Sequence, residues 1–222
     1  VRVRPLRRAR RALIVVLLAP ALMLSACGSE GNAKSKAEPS ANLPTGNVEV
    51  PDEIELTKAG TELKFGQPAF IAYQPNTSRS SVISLTVNSV QQGTFADFAT
   101  FQIPAATRKS RPYYVRFAIK NVGTGDIGKM GVPLYAVDHT DSLVMPSSFT
   151  TRFAKCPSVP LPAPFGPGKT FAGCLVYFIP NGGTLVEMSY RPLQEFPPIT
   201  WTGPIQPPAA AKKAAGKKKA KP

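Results

Sequence analysis

Ser81-Val82-Ile83-Ser84-Leu85-Thr86-Val87 places Ile83, Leu85 and Val87 on one side of an extended chain and Ser84 and Thr86 on the other. A period of two over this length is the signature of a strand buried on one face. The pattern recurs further along the chain. Tyr114 to Lys120 sets Val115, Phe117 and Ile119 inward against Arg116 and Lys120, and Val186, Met188 and Tyr190 alternate with Glu187, Ser189 and Arg191. Phe171 to Ile179 is almost wholly apolar, the expectation for a central strand covered on both faces. After residue 30 no window of eleven residues carries a helical apolar stripe. Short strands divided by Asn181-Gly182-Gly183 and by many prolines predict an all-β chain folded as an antiparallel β-sandwich.

Upstream of these strands the composition changes twice. Residues 1 to 11 are rich in arginine, and residues 12 to 24 (ALIVVLLAPALML) form an uninterrupted apolar run. As a helix that run reaches roughly 20 Å, short of the ~30 Å hydrocarbon thickness, so it reads as the apolar stretch of an export signal. Leu24-Ser25-Ala26-Cys27 follows directly and looks like a bacterial lipobox, in which the cysteine sulfur receives a diacylglyceryl group and cleavage falls between Ala26 and Cys27. The alternative is an ordinary cleaved signal with Cys27 incidental. Arg10-Arg11-Ala12-Leu13-Ile14 also resembles a twin-arginine motif, while arginines that only hold this end on the cytoplasmic side give the same pattern. Anchoring by two or three acyl chains, at about 0.8 kcal/mol per buried methylene, is effectively permanent. The expected location is the outer face of the cell membrane.

The formal charge of +14 suggests a nucleic-acid binder until it is mapped. Six arginines lie before residue 12, and Lys212, Lys213, Lys217, Lys218, Lys219 and Lys221 lie in the terminal AAAKKAAGKKKAKP. Setting those twelve aside leaves 15 of the 27 basic residues against 13 acidic ones, so the body is nearly neutral and no specific nucleic acid is expected. On an exported chain the lysine tail has anionic wall polymers or lipid headgroups within reach, or it is a solvated tail with no partner. Residues 28 to 58 are small, polar and interrupted by Pro39, Pro44 and Pro51, a composition that buries too little apolar surface to offset ordering. The expected organisation is a signal peptide over 1–26, a lipidated cysteine and disordered tether over 27–59, the sandwich over 60–203 and a disordered tail over 204–222.

Three cysteines are present, Cys27, Cys156 and Cys174. With Cys27 alkylated, Cys156 and Cys174 remain as a pair enclosing a loop that holds Pro157, Pro160, Pro162, Pro164 and Pro167. A redox or metal pair is the rival reading, without a CxxC spacing or nearby histidines to support it.

Tyr114 to Gly123, Leu134 to Asp138, Pro167-Gly168-Lys169-Thr170 leading to Gly173 through Pro180, and Leu185 to Pro192 together resemble the telokin-like domains of unknown function in Gram-positive and actinobacterial surface lipoproteins. The pattern is also similar to the fold of the mycobacterial immunoprotective extracellular protein. The resemblance spans roughly residues 60 to 195 and implies an Ig-like sandwich with no catalytic residue. The cysteine pair and its proline-rich loop depart from the simplest form of that pattern.

Few residues invite chemistry. His139 is the single histidine, which excludes a zinc site built on several imidazoles. Asp138-His139-Thr140-Asp141-Ser142 contains the residue types of a hydrolytic triad, but five consecutive positions cannot converge as a triad must; a polar hairpin turn is expected. Asp138, Asp141 and Asp126 carry oxygens suited to calcium but lack calcium-loop spacing. Tyr113, Tyr114, Tyr135, Tyr177 and Trp201 are either a ligand cleft or core. The sequence therefore points to a lipid-anchored, non-enzymatic binding or envelope-structural module without cofactor or metal, its partner an envelope protein or anionic wall polymer. An extracytoplasmic solute-binding component or enzyme, or attachment through the basic tail, is the alternative.

Overall fold

The computed structural model describes residues 46–209. The lipobox, with Ala26 and Cys27, and the six tail lysines lie outside the described residues. Ten strands occur among them: β1 (Glu62–Lys64), β2 (Pro68–Asn76), β3 (Arg79–Gln92), β4 (Arg111–Asn121), β5 (Tyr135–Asp138), β6 (Leu143–Val144), β7 (Thr170–Ile179), β8 (Leu185–Tyr190), β9 (Ile199–Thr202) and β10 (Ile205–Gln206). They form two sheets, β1-β9-β8-β5-β6 and β10-β3-β4-β7, with β2 sharing the β3 edge that also carries β10. The chain is an all-β sandwich. Pairing is antiparallel except where β1 meets β9 and β10 meets β3, two short parallel contacts at sheet edges.

The core is built by the inward residues of both sheets. Across β3, β4 and β7 the rows Leu85, Ile119, Phe171 and Val90, Val115, Leu175 lie in register. The alternation of β3 breaks between Val87 and Val90, both buried, because Asn88 is an extra residue that returns Val90 to the core. Gly173 stands opposite Phe117, whose ring fills the place a Cβ at 173 would take. Buried tyrosines fasten the layers: Tyr190 of β8 donates its hydroxyl to the Ala72 carbonyl of β2 at 2.9 Å, and Tyr177 of β7 donates to the Leu134 carbonyl at 2.7 Å. A hydroxyl that donates inside the core avoids the penalty of an unmet buried polar group.

Three expectations are corrected here. Phe171 to Ile179 is an edge strand, paired along its length to β4, with a single bridge from Ser147 to Val176 on its other side. Both faces are apolar because Leu175, Tyr177 and Ile179 enter the main core while Cys174, Val176 and Phe178 meet a second cluster of Phe98, Tyr114, Phe153 and Cys156 on the outer face. In β8 it is Leu185 that points inward and Val186 that is exposed, since Val186 is a bulge between the partners of Val137 and Asp138. The body also extends past both expected borders. Val48 is buried against Ala72 and Val82, with Val50, Ile54 and Leu56 beside it, and β10 pairs with β3 beyond residue 203.

Cys156 and Cys174 form a disulfide with Cα atoms 5.1 Å apart. Its loop, together with Ser147 ahead of it in the chain, covers the open edge of β7. Ser158 N donates to Cys174 O at 2.9 Å, Val176 N donates to Ser158 Oγ at 3.2 Å, and Ser147 N donates to Val176 O at 2.7 Å. An edge so occupied offers no ladder to another chain. Replacing both cysteines by alanine is expected to cost about 3 kcal/mol, the loop-closure value for 18 residues. Urea unfolding of the double variant checks this, and a midpoint equal to that of the oxidised parent would show that the prolines alone hold the loop.

Candidate functional site

One open end of the sandwich holds a groove of about 840 Å³. Its walls come from the end of β2, the segment Lys129–Tyr135 entering β5, Met145–Ser148 after β6, Ser158–Pro160 of the disulfide loop, and Tyr190–Leu193 leaving β8. These segments converge because the ends of β2 and β8, tied by the bond from Tyr190 to the Ala72 carbonyl, meet the connections flanking β5 and β6. Tyr73, Tyr190 and Leu175 form the inner part. Tyr73 donates its hydroxyl to the Gly131 carbonyl at 2.7 Å, which fixes the wall segment against β2. Burial, with a smaller contribution from Tyr135, pushes Tyr73 up to about 12, and burial likewise raises Tyr190. Both phenols are therefore neutral at physiological pH.

The rim is apolar and exposed. Met145, Val159 and Leu193 are 69%, 44% and 50% exposed, and they are three of the five large hydrophobic residues that the described surface exposes. Lys129 and Arg191 are the charged residues of the lining, which contains no aspartate or glutamate. Neither cation forms an ion pair among the described residues, where the two pairs are Arg79 with Asp126 and Lys155 with Asp97. Arg191 Nε is buried with no acceptor from the protein among the described residues. Lys129 sits at φ 65°, a left-handed conformation unusual for a side-chain-bearing residue, held by donation from its N–H to Leu161 O at 2.9 Å.

The residues singled out in the sequence fall elsewhere, with one exception. Tyr113, Tyr114, Tyr177 and Trp201 are 3% exposed or less and belong to the cores. Tyr135 alone of the five lines the groove. Tyr73, Tyr190, Arg191, Met145 and Leu193 were not signalled by any motif. The available sign was apolar residues inside turn segments, Met145 before Pro146, Val159 before Pro160 and Leu193 after Pro192, where a solvated loop would carry polar side chains.

Asp138 to Ser142 is the turn between β5 and β6, closed by Asp138 Oδ1 accepting from Thr140 N at 2.8 Å and Ser142 N at 3.0 Å. Asp126 Oδ1 accepts from the N–H groups of Gly128 and Phe165, both at 2.8 Å. Asp138 and Asp126 are thus engaged in separate loops, Asp141 lies in the same turn as Asp138, and no three His, Cys, Asp or Glu side chains converge among the described residues. Donation from Thr140 holds Asp138 below the ordinary aspartate value of 3.8, and donation from Gly128 does the same for Asp126. Burial pushes Asp97 up, but hydrogen bonds from Lys155, Thr94 and Tyr114 outweigh it and hold that carboxyl low as well.

Folded values below the unfolded one mean that the stability these groups supply is present above pH 3.8 and is lost as pH falls through their folded values. Glu187, raised chiefly by burial from 4.5, acts in the opposite sense and loses its contribution as pH rises through its folded value. The urea midpoint is expected to fall below about pH 4, and Asp138→Asn is expected to flatten that fall. An unchanged slope in the variant would remove Asp138 from the acid transition.

Fold and site together define a disulfide-bonded β-sandwich with one apolar-rimmed groove that carries two cations. No helix among the described residues is long and apolar enough to cross a membrane. No family model and no curated protein matches the chain. Among solved structures it is similar to the crystal structure of MPT63, a secreted protein from Mycobacterium tuberculosis, at 10% identity and a TM-score of 0.43, covering 64% of this chain and 96% of that one.

Proposed function

We propose that this chain is a non-enzymatic binding module held by a lipid on Cys27 at the outer face of a bacterial cell membrane, with the groove as its contact surface. The signal, apolar run and lipobox in sequence order support the anchor, and a disulfide buried against aromatic rings suits an oxidising compartment. The observation that carries the binding role is the gathering of Met145, Val159 and Leu193 on one groove, since exposed apolar side chains clustered at a concave site mark contact surfaces. The groove is preorganised: the disulfide, five prolines and the Tyr73 hydroxyl fix its walls before anything binds.

A photoactivatable residue placed at Val159 of the anchored protein in its native cells is expected to give a saturable adduct. Met145→Asp with Leu193→Asp is expected to reduce that adduct about tenfold, while the melting temperature moves by no more than about 2 °C because both side chains are exposed. Equal adducts from Val159 and from Lys64, which lies outside the groove, would end the proposal. Intact mass of the native protein checks the anchor, the expected species beginning at Cys27 with a diacylglyceryl increment.

A further inference from the structure

The geometry points to an anionic single-chain amphiphile as the ligand of this groove: an acyl carboxylate whose head is held by Arg191 and Lys129 and whose chain lies along the apolar wall. The inference rests on the groove being the contact surface and names what it contacts. Charge is the first argument. The lining holds Lys129 and Arg191, neutral phenols and no carboxylate of its own; Glu187, within electrostatic reach of Arg191, lies outside the lining, so the groove itself presents a positive field to whatever enters. Arg191, which lines the groove, brings a guanidinium whose planar fork suits a carboxylate.

The lining also discriminates between occupants. Pro75, Pro133, Pro146, Pro160 and Pro192 are among the residues facing the groove, and proline has no N–H to offer. An acidic peptide lying there would bury carbonyls that need donors, whereas an acyl chain needs none. Met130 and Met145 add flexible side chains that conform to an apolar chain of no fixed shape. The stretch of this chain nearest the groove in sequence, residues 28–45 leading into Gly46, carries two glutamates, two lysines and one large apolar residue, Leu43, and so matches neither the charge nor the apolar wall.

The test uses the mature chain carrying Cys27→Ser, purified without detergent, titrated calorimetrically with palmitate below its micelle concentration, with hexadecanol as the uncharged chain of equal length, and with an acidic peptide. Palmitate is expected to bind at one site and hexadecanol about tenfold more weakly, the factor of one charge-assisted hydrogen bond. Arg191→Met is expected to weaken palmitate about tenfold and leave hexadecanol unchanged; Lys64→Met, outside the groove, is expected to change neither. Equal affinities for palmitate and hexadecanol, or palmitate binding indifferent to Arg191→Met, would overturn the inference. Peptide binding without palmitate binding would overturn it and leave the binding module standing. Silence from all three probes, together with an in-cell adduct insensitive to the rim variants, would remove both.

Discussion

Trp201→Ala is expected to lower the free energy of unfolding by about 4 kcal/mol. Trp201 is fully buried on β9, between Leu63 of β1 and Met188 of β8, one strand in from the edge of its sheet. Its Nε1 donates to the Gln67 carbonyl at 2.9 Å, which ties the turn between β1 and β2 to the sheet that packs beneath it. Removing the indole leaves a cavity that neighbours close only in part, and it leaves that carbonyl without its donor. Trp201→Phe separates the two contributions: most of the ring volume stays, and about 1–2 kcal/mol is expected from the lost hydrogen bond and the smaller ring. Urea unfolding of both variants checks the order. A loss under about 1 kcal/mol for the alanine variant would mean that the two sheets do not close over this residue.

Asn121→Ala is expected to cost nearly as much, about 3 to 4 kcal/mol, without any large change of volume. Asn121 is fully buried at the end of β4, and its side chain meets every hydrogen-bonding capacity it has. Oδ1 accepts from Ser81 Oγ at 2.6 Å and from Gly123 N at 3.2 Å, while Nδ2 donates to the carbonyls of Gly125 at 2.7 Å and Phe165 at 2.8 Å. One amide thereby joins β3, the loop after β4 and the loop before β7. Alanine leaves the Gly125 carbonyl and the Ser81 hydroxyl proton without partners and takes from the Phe165 carbonyl one of its two donors, Ile127 N remaining, and those lost bonds set the cost. A double-mutant cycle with Ser81→Ala is the sharper check, because Ser81 Oγ also accepts from Gly125 N at 3.3 Å. Strict additivity of the two variants would show that the pair does not act as a unit.

The two residues stand differently in the sequence. Trp201 falls in Ile199-Thr200-Trp201-Thr202, and a lone tryptophan in a β-rich chain invites the choice between core and cleft that only burial resolves. Asn121 follows Ile119-Lys120 as the end of an alternating strand, where an asparagine reads as turn material; nothing local says that it is buried, because its four partners come from three separate segments. The strands themselves were legible wherever one face was apolar and the other polar. Alternation misled at Val186 because a bulge shifts phase without leaving any mark in composition. It misled again at Phe171 to Ile179, where apolar character on both faces comes from a cap of aromatic residues distant in sequence and not from flanking strands. The groove was almost illegible, since its lining is drawn from seven separate stretches, each unremarkable alone.

The amino-acid order by itself determined the all-β class, the phase of its long strands and the export and lipobox pattern, because each is written in neighbours a few residues apart whose spacing matches a fixed backbone period or a contiguous motif. Tertiary structure alone decided which strand lies at an edge, where the aromatic cap sits, and that Arg191, Lys129, Met145 and Leu193 share one groove. Those outcomes depend on contacts between segments tens of residues apart, whose closure is settled by the packing of two whole sheets and not by any local preference.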